Sequence, residues 1–167
     1  MKSNKPKVLI VCQHFWPESF RVNDIADYLI DSNCEVDVLC GLPNYPEGKL
    51  YKGYSLFSKR KERHDDINIY RVLEIPRGNT TNFRIFINYI SFPFFSLFHI
   101  PRLLTHKYDK IFVFTYSPIM MSIAGILVGK ISKTEITMYA LDLRPEKLLS
   151  VIKIKSKFFR RILTNVS

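Results

Sequence analysis

Apolar positions along this chain follow two alternating periods. Lys7 to Cys12 is a short aliphatic run rich in β-branched residues, the pattern of a buried parallel strand. Behind it Val22, Ile25, Ala26, Leu29 and Ile30 fall at i, i+3, i+4, i+7 and i+8, which is one face of a helix. Further strands are expected at Glu35 to Gly41, Ile67 to Leu73, Asp109 to Thr115 and Glu135 to Leu141. Helices fit at Asn82 to Leu104, Ile119 to Ser132 and Glu146 to Leu163. The Pro, Gly and Asn content of Gly41 to Gly48 and of Ile75 to Asn79 marks turns, and the cluster Lys59-Arg60-Lys61-Glu62-Arg63 reads as a solvated connection. Strand–helix alternation of this kind predicts an α/β fold: a Rossmann-like, doubly wound parallel sheet with helices on both faces and right-handed crossovers. Residues 1–146 are expected to form that domain, and 147–167 a basic amphipathic helix.

Two charge-free runs approach the length that spans a bilayer, Ile85 to Pro101 and Ile111 to Gly129. Ser117-Pro118 divides the second into a buried strand and a buried helix, with Ser as N-cap and Pro at the first helical position. In the first, Phe86, Tyr89, Phe92, Phe94, Phe95 and Phe98 surround the helix, and Arg84 and Arg102 flank it. A buried core helix and a helix lying partly in a lipid interface both fit that pattern better than a span.

Length and composition refine the picture. A chain of 167 residues with 47% hydrophobic residues builds one domain with a core, which excludes disorder. Its net charge of +10 calls for an anionic partner. Six of those charges sit in residues 147–167, where Lys147, Lys153, Lys155, Lys157, Arg160 and Arg161 occur without an acid. Leu148, Leu149, Phe158, Phe159 and Ile162 supply an apolar surface beside them, so the segment reads either as a solvated helix or as a membrane-surface helix. No recognition motif for nucleic acid accompanies the charge, and nucleic acid is not expected as a partner. Cys12, Cys34 and Cys40 lie in or beside apolar segments and fit reduced thiols of a cytoplasmic protein; no Cys/His spacing suggests a metal. The apolar run behind the basic N-terminus is too short for a signal peptide.

Candidate chemistry gathers between the first strand and the first helix, from His14 to Asp24. A loop at the carboxyl end of a strand in an open parallel sheet is where ligands bind. The Gly-x-Gly-x-x-Gly pattern of a dinucleotide site is missing, and Trp16 with Pro17 makes a bulky wall better suited to a sugar ring. Each residue also has an ordinary reading. Trp16 can pack over the helix, Glu18 can favour the helix N-terminus, and His14 can be satisfied by backbone. Asn44 and Tyr45 are common turn residues, and Asp142 and Glu146 can cap a following helix.

Several segments, in order, carry a resemblance. They are His14-Phe15-Trp16-Pro17-Glu18 with Phe20-Arg21-Val22-Asn23-Asp24, Gly41-Leu42-Pro43-Asn44-Tyr45-Pro46-Glu47-Gly48, Gly53-Tyr54 and Ile75-Pro76-Arg77-Gly78. Asn88-Tyr89-Ile90-Ser91-Phe92, Ser117-Pro118 and Asp142-Leu143-Arg144-Pro145-Glu146 follow. Together they resemble the N-terminal half of family 4 glycosyltransferases of GT-B fold, and within it the bacterial transferases of O-antigen, capsule and colanic-acid synthesis, including the N-acetyl-fucosamine transferase type. Arg144 departs from the Trp usual in the last motif.

The resemblance implies the acceptor-binding half of a retaining glycosyltransferase, with His14, Trp16, Pro17, Glu18, Arg21, Asn23, Asn44, Tyr45, Ser117, Asp142 and Glu146 around the acceptor. A UDP- or GDP-sugar would bind a second domain carrying Glu-x7-Glu. None of the seven glutamates here is followed by another at that spacing, so no donor domain is expected within the sequence, and the chain alone is expected to be inactive. Implied partners are a lipid-linked glycan acceptor, an anionic membrane surface met by Lys153, Lys155, Lys157, Phe158, Phe159, Arg160 and Arg161, and a separate donor-domain polypeptide if the enzyme is split. The implied location is cytoplasmic, peripheral on the inner face of the plasma membrane. The competing reading from another class is a non-enzymatic module that binds lipid or protein.

Overall fold

A computed structural model describes residues 5–57, 60–78, 82–116 and 119–141. The order is β1 (Lys7–Cys12), α1 (Arg21–Asp31), β2 (Glu35–Cys40), β3 (Lys61–His64), β4 (Ile67–Arg71), α2 (Asn82–Ser96), α3 (Ile100–Leu104), β5 (Lys110–Thr115), α4 (Ile123–Ser132) and β6 (Glu135–Ala140). A 3-10 turn at Leu97–His99 joins α2 to α3, and another at Ile119–Ser122 leads into α4. The six strands form one sheet in the order β3-β4-β2-β1-β5-β6, parallel throughout except for the antiparallel β3–β4 pair. The protein thus has the α/β, Rossmann-like arrangement expected of it. The helix expected at Glu146 to Leu163 lies outside the described residues.

The central strands β1, β2 and β5 are aliphatic on both faces because both faces are covered. On one side Val8, Ile10, Val36, Val38, Ile67 and Ile69 pack with Val22 and Ala26 of α1. On the other, Leu9, Val11, Leu39, Ile111 and Val113 pack with Phe92, Leu103, Ala124 and Val128 of the remaining helices. Gly125 brings α4 close to the sheet: a Cβ there would stand 2.7 Å from Val113 Cγ2. The edge strand β6 is mostly exposed.

One expectation is corrected. Lys61–His64, which overlaps the Lys59–Arg63 segment read as a solvated connection, is a strand paired with β4 in the register Lys61↔Tyr70 to His64↔Ile67. Its inward positions are Glu62 and His64, which lean on polar and aromatic partners instead of on aliphatic ones. Elsewhere β1 matches its expected limits and the other strands fall a residue or two inside theirs, and the helix expected over Asn82 to Leu104 is a helical run tightened by the 3-10 turn. Pro93 is accommodated inside α2, where Ser96 Oγ donates to its carbonyl at 2.7 Å.

Candidate functional site

The chain leaves β1 toward β2 and β4 on one side and later returns to β5 on the other. The carboxyl ends of β1 and β5 therefore flank a topological switch point, where parallel sheets leave a crevice for ligands. Four segments converge on that edge: 13–20 after β1, 41–48 after β2, 72–78 after β4, and Tyr116 after β5.

Glu18 joins the first two. It is 3% exposed, and its Oε1 accepts the backbone N–H of Asn44 at 2.7 Å and of Tyr45 at 2.6 Å. Oε2 pairs with His14 Nδ1 at 2.9 Å. A buried carboxylate needs such partners, and two backbone donors plus an imidazole supply them. Since the carboxylate only accepts, Nδ1 carries the shared proton and Nε2 of a neutral His14 is the acceptor nitrogen. Asn44 closes the turn through Nδ2 to Leu42 O at 2.8 Å, while Asn23 Nδ2 donates to Glu18 O at 2.7 Å and ties the loop to α1. The bonds Trp16–Pro17 and Tyr45–Pro46 are both cis.

Aromatic rings line this edge. Phe20 stacks on His14 at 4.9 Å and lies 5.3 Å from Tyr45 and 5.2 Å from Tyr116. Phe114 continues the row, 5.1 Å from Tyr116, and stacks on Tyr139 at 5.2 Å. Tyr45 and Tyr139 are nearly half exposed, and Arg21 is exposed within electrostatic reach of Tyr116. Burial first, then the Cys12 thiol, pushes the Tyr116 hydroxyl up to about 12, while Arg21 opposes them, so the phenol stays protonated and able to donate.

Trp16 is placed differently. Its indole stacks on His64 at 3.9 Å and 15°, and its partly buried side chain packs against the α1-side core, so one ring face is already covered. Its carbonyl is held by Arg71, which is fully buried, pairs with Glu62, and donates to Gly41 O at 3.2 Å. The Tyr54 ring lies 5.2 Å from that guanidinium. Buried Cys40 also touches Arg71; desolvation raises the Cys40 thiol to about 12 and holds it as an inert S–H.

A second carboxyl, Glu74, is fully buried on the α2 side. Its Oε1 accepts from Gln13 Nε2 and from Asn88 Nδ2, both at 2.7 Å, whereas Oε2 has no hydrogen-bond partner. Burial raises its pKa, opposed first by His14. Gly41 makes room for it, because a Cβ there would fall 1.9 Å from Oε2 and 2.8 Å from Gln13 O. Asn88 also reaches Ile75 O at 2.8 Å, and Ser91 Oγ accepts the Ile75 N–H at 3.0 Å, fixing the loop after β4.

The structure therefore brings His14, Glu18, Asn23, Asn44 and Tyr45 into one bonded group, with Arg21 exposed at its border and Trp16 and Pro17 in the same loop. Ser117, Asp142, Glu146, Lys153, Lys155, Lys157, Phe158, Phe159, Arg160 and Arg161 lie outside the described residues. Gln13, Phe20, Glu74 and Tyr116 were not singled out from the sequence; Phe20 alone carried a signal, as part of the His14–Asp24 motif. Among the described residues no cluster of metal-ligating side chains occurs.

No protein family model and no curated protein sequence matches the chain. Among solved structures, the C-terminal domain of a hydrogenase from Pyrococcus furiosus is similar to it, with a TM-score of 0.50 and 14% identity over 80% of this chain and 89% of that one. At that identity the likeness concerns the fold alone.

Proposed function

We propose that this domain binds the glycan acceptor of a retaining glycosyltransferase, a sugar carried on a polyprenyl diphosphate in bacterial surface polysaccharide synthesis. The carrying observation is the Glu18 group, in which one carboxylate fixes His14 and the Asn44–Tyr45 turn against each other at the switch point. Such fixed loops hold a ligand at little entropic cost. Phe20, Tyr45 and Tyr116 offer apolar ring faces for a sugar, Arg21 offers charge for a phosphate, and His14 Nε2 accepts from a hydroxyl. The nucleotide-sugar donor, a UDP- or GDP-sugar, belongs to a second domain, in a longer chain or a separate polypeptide. In the complete enzyme the acceptor oxygen would bond to the donor's anomeric carbon as the bond from that carbon to the nucleoside diphosphate breaks on the same face. The hydroxyl proton would pass to the leaving phosphate, and configuration is retained.

The test is a titration of the full chain with a hexosamine diphosphoryl short-chain prenol, followed by aromatic NMR signals. Saturable binding that Tyr45→Ala and His14→Ala each weaken about tenfold supports the proposal. A folded chain with no saturable binding, or binding indifferent to both substitutions, overturns it.

A further inference from the structure

The helical run Phe83–Leu104 is long and apolar enough to cross a membrane, yet only 28% of its most apolar window is buried. Its two sides differ in a regular way. Asn88, Phe92, Ser96 and Leu103 point to the sheet and are buried. Phe83, Ile90, Phe94 and Phe98 are 70%, 39%, 53% and 70% exposed, and their spacing of seven, four and four places them on the opposite side. Phe94 and Phe98 lie 5.6 Å apart, edge to face, and form an apolar ridge that is left exposed among the described residues.

We propose that α2 and α3 lie in the plane of an anionic membrane surface, with this ridge seated at the headgroup–acyl boundary. The charge pattern selects that occupant. Between Glu74 and Asp109 the chain has no acid, while Arg84, Arg102 and Lys107 are exposed there and Arg77 is turned to Asn88 and Tyr89. Two copies meeting through this face would set like charges against each other, whereas anionic lipid complements them. A span is disfavoured by the opposite side: Phe92 and Leu103 belong to the sheet core, and Asn88 bonds Glu74. Crossing a bilayer would strip those contacts and open the core to water. The in-plane seating stands without the glycan reading, and it places membrane contact on the domain itself, apart from the contact that the sequence alone suggests for residues 153–161.

The full chain should float with phosphatidylcholine vesicles containing phosphatidylglycerol, more strongly than with phosphatidylcholine alone, and less as salt rises. Phe94→Ser/Phe98→Ser should weaken that binding about tenfold or more, both rings being solvent-exposed in the free protein. In a Trp16→Phe background, Phe98→Trp should be quenched by brominated lipid, while Tyr28→Trp, exposed on α1 at the other face, should not. The proposal is overturned if the chain ignores anionic vesicles, or if the double substitution leaves binding unchanged. Equal quenching at both tryptophans overturns it, as does resistance to alkaline carbonate, which marks a span. A wild-type dimer that the double substitution dissociates assigns the ridge to a second copy instead. The vesicles carry no glycan, so failure here is separate from failure of acceptor binding.

Discussion

Glu18 and Glu74 are buried at the same edge of the same sheet, and the fold treats them in opposite ways. Glu18 has both oxygens occupied, by two backbone N–H groups and an imidazole. Glu74 has one oxygen occupied by two amides and the other left bare, and its pKa is raised by burial. Donors that cannot move away make the first carboxylate a fixed strut between two loops. The second is a group whose charged form the protein opposes, held in place by shape and by the missing side chain at Gly41. The β1–β2 side of the crevice is accordingly built to keep one geometry, and the β4–α2 side is built around a group that takes up a proton more readily than an ordinary glutamate.

The sharpest way to break this contrast is Glu18→Ala. Removing the acceptor leaves the Asn44 and Tyr45 N–H groups and His14 without their partner, and the expected loss is about 3 to 5 kcal/mol in urea unfolding. A loss under about 1 kcal/mol would mean that the two loops hold each other by packing, and the strut would have no role. Gly41→Ala should follow, at about 2 to 3 kcal/mol, because the new methyl group overlaps a carboxyl that Gln13 and Asn88 already hold. Adding Glu74→Ala to Gly41→Ala should recover part of that loss. Strict additivity of the two would show that the clash is relieved by backbone movement and not by the carboxyl.

The pH dependence of stability separates the pair further. Below the ordinary glutamate range both the folded and the unfolded chain hold the Glu74 proton. As pH rises, the unfolded chain releases it first, so stability falls until the raised folded value is passed and is level thereafter. The loss is about 1.4 kcal/mol for each unit by which the two values differ. Glu74→Gln, which keeps the shape and cannot ionise, should remove this contribution and be more stable than the parent at neutral pH relative to pH 4. Equal slopes for parent and variant would show that Glu74 ionises as freely inside the fold as outside it.

How much of this was legible follows from what pattern reading can see. Strands β1, β2, β4, β5 and β6 announce themselves because each is a short stretch carrying β-branched residues, and α1 because its apolar face repeats at helical spacing. Strand β3 does not, since its inward side chains are Glu62 and His64. Their partners, Arg71 and Trp16, lie on other segments, and pairing of polar groups across segments leaves no local period. Of the crevice, the His14–Asp24 loop stands out by its residue types and Asn44–Tyr45 only by the family resemblance, while the bonds joining them leave no trace in the sequence. Glu74 was invisible, because a lone carboxylate after a strand looks solvated until a glycine just after β2 and an asparagine from α2 close over it. The sequence leaves Trp16 open between packing and sugar stacking, and His64, from the strand without a local period, is what covers one face of its ring.

That strand supplies the smallest test. Beyond the Glu18 bonds, the loop after β1 is anchored from the other flank by Arg71 on the Trp16 carbonyl and by His64 on the Trp16 ring. If Glu18 is the strut, this second anchor only trims the loop's freedom, and His64→Ala should cost about 0.5 to 1.5 kcal/mol, the value of one aromatic stack. The NMR signals of Phe20 and Tyr45 should stay where they are, because those rings rest on His14 and on each other, not on Trp16. Displacement of those signals in His64→Ala, with unfolding cost near that of Glu18→Ala, would shift the rigidity of the crevice from a single carboxylate to the edge strand. The two glutamates would then differ in their bonding without differing in what they hold together.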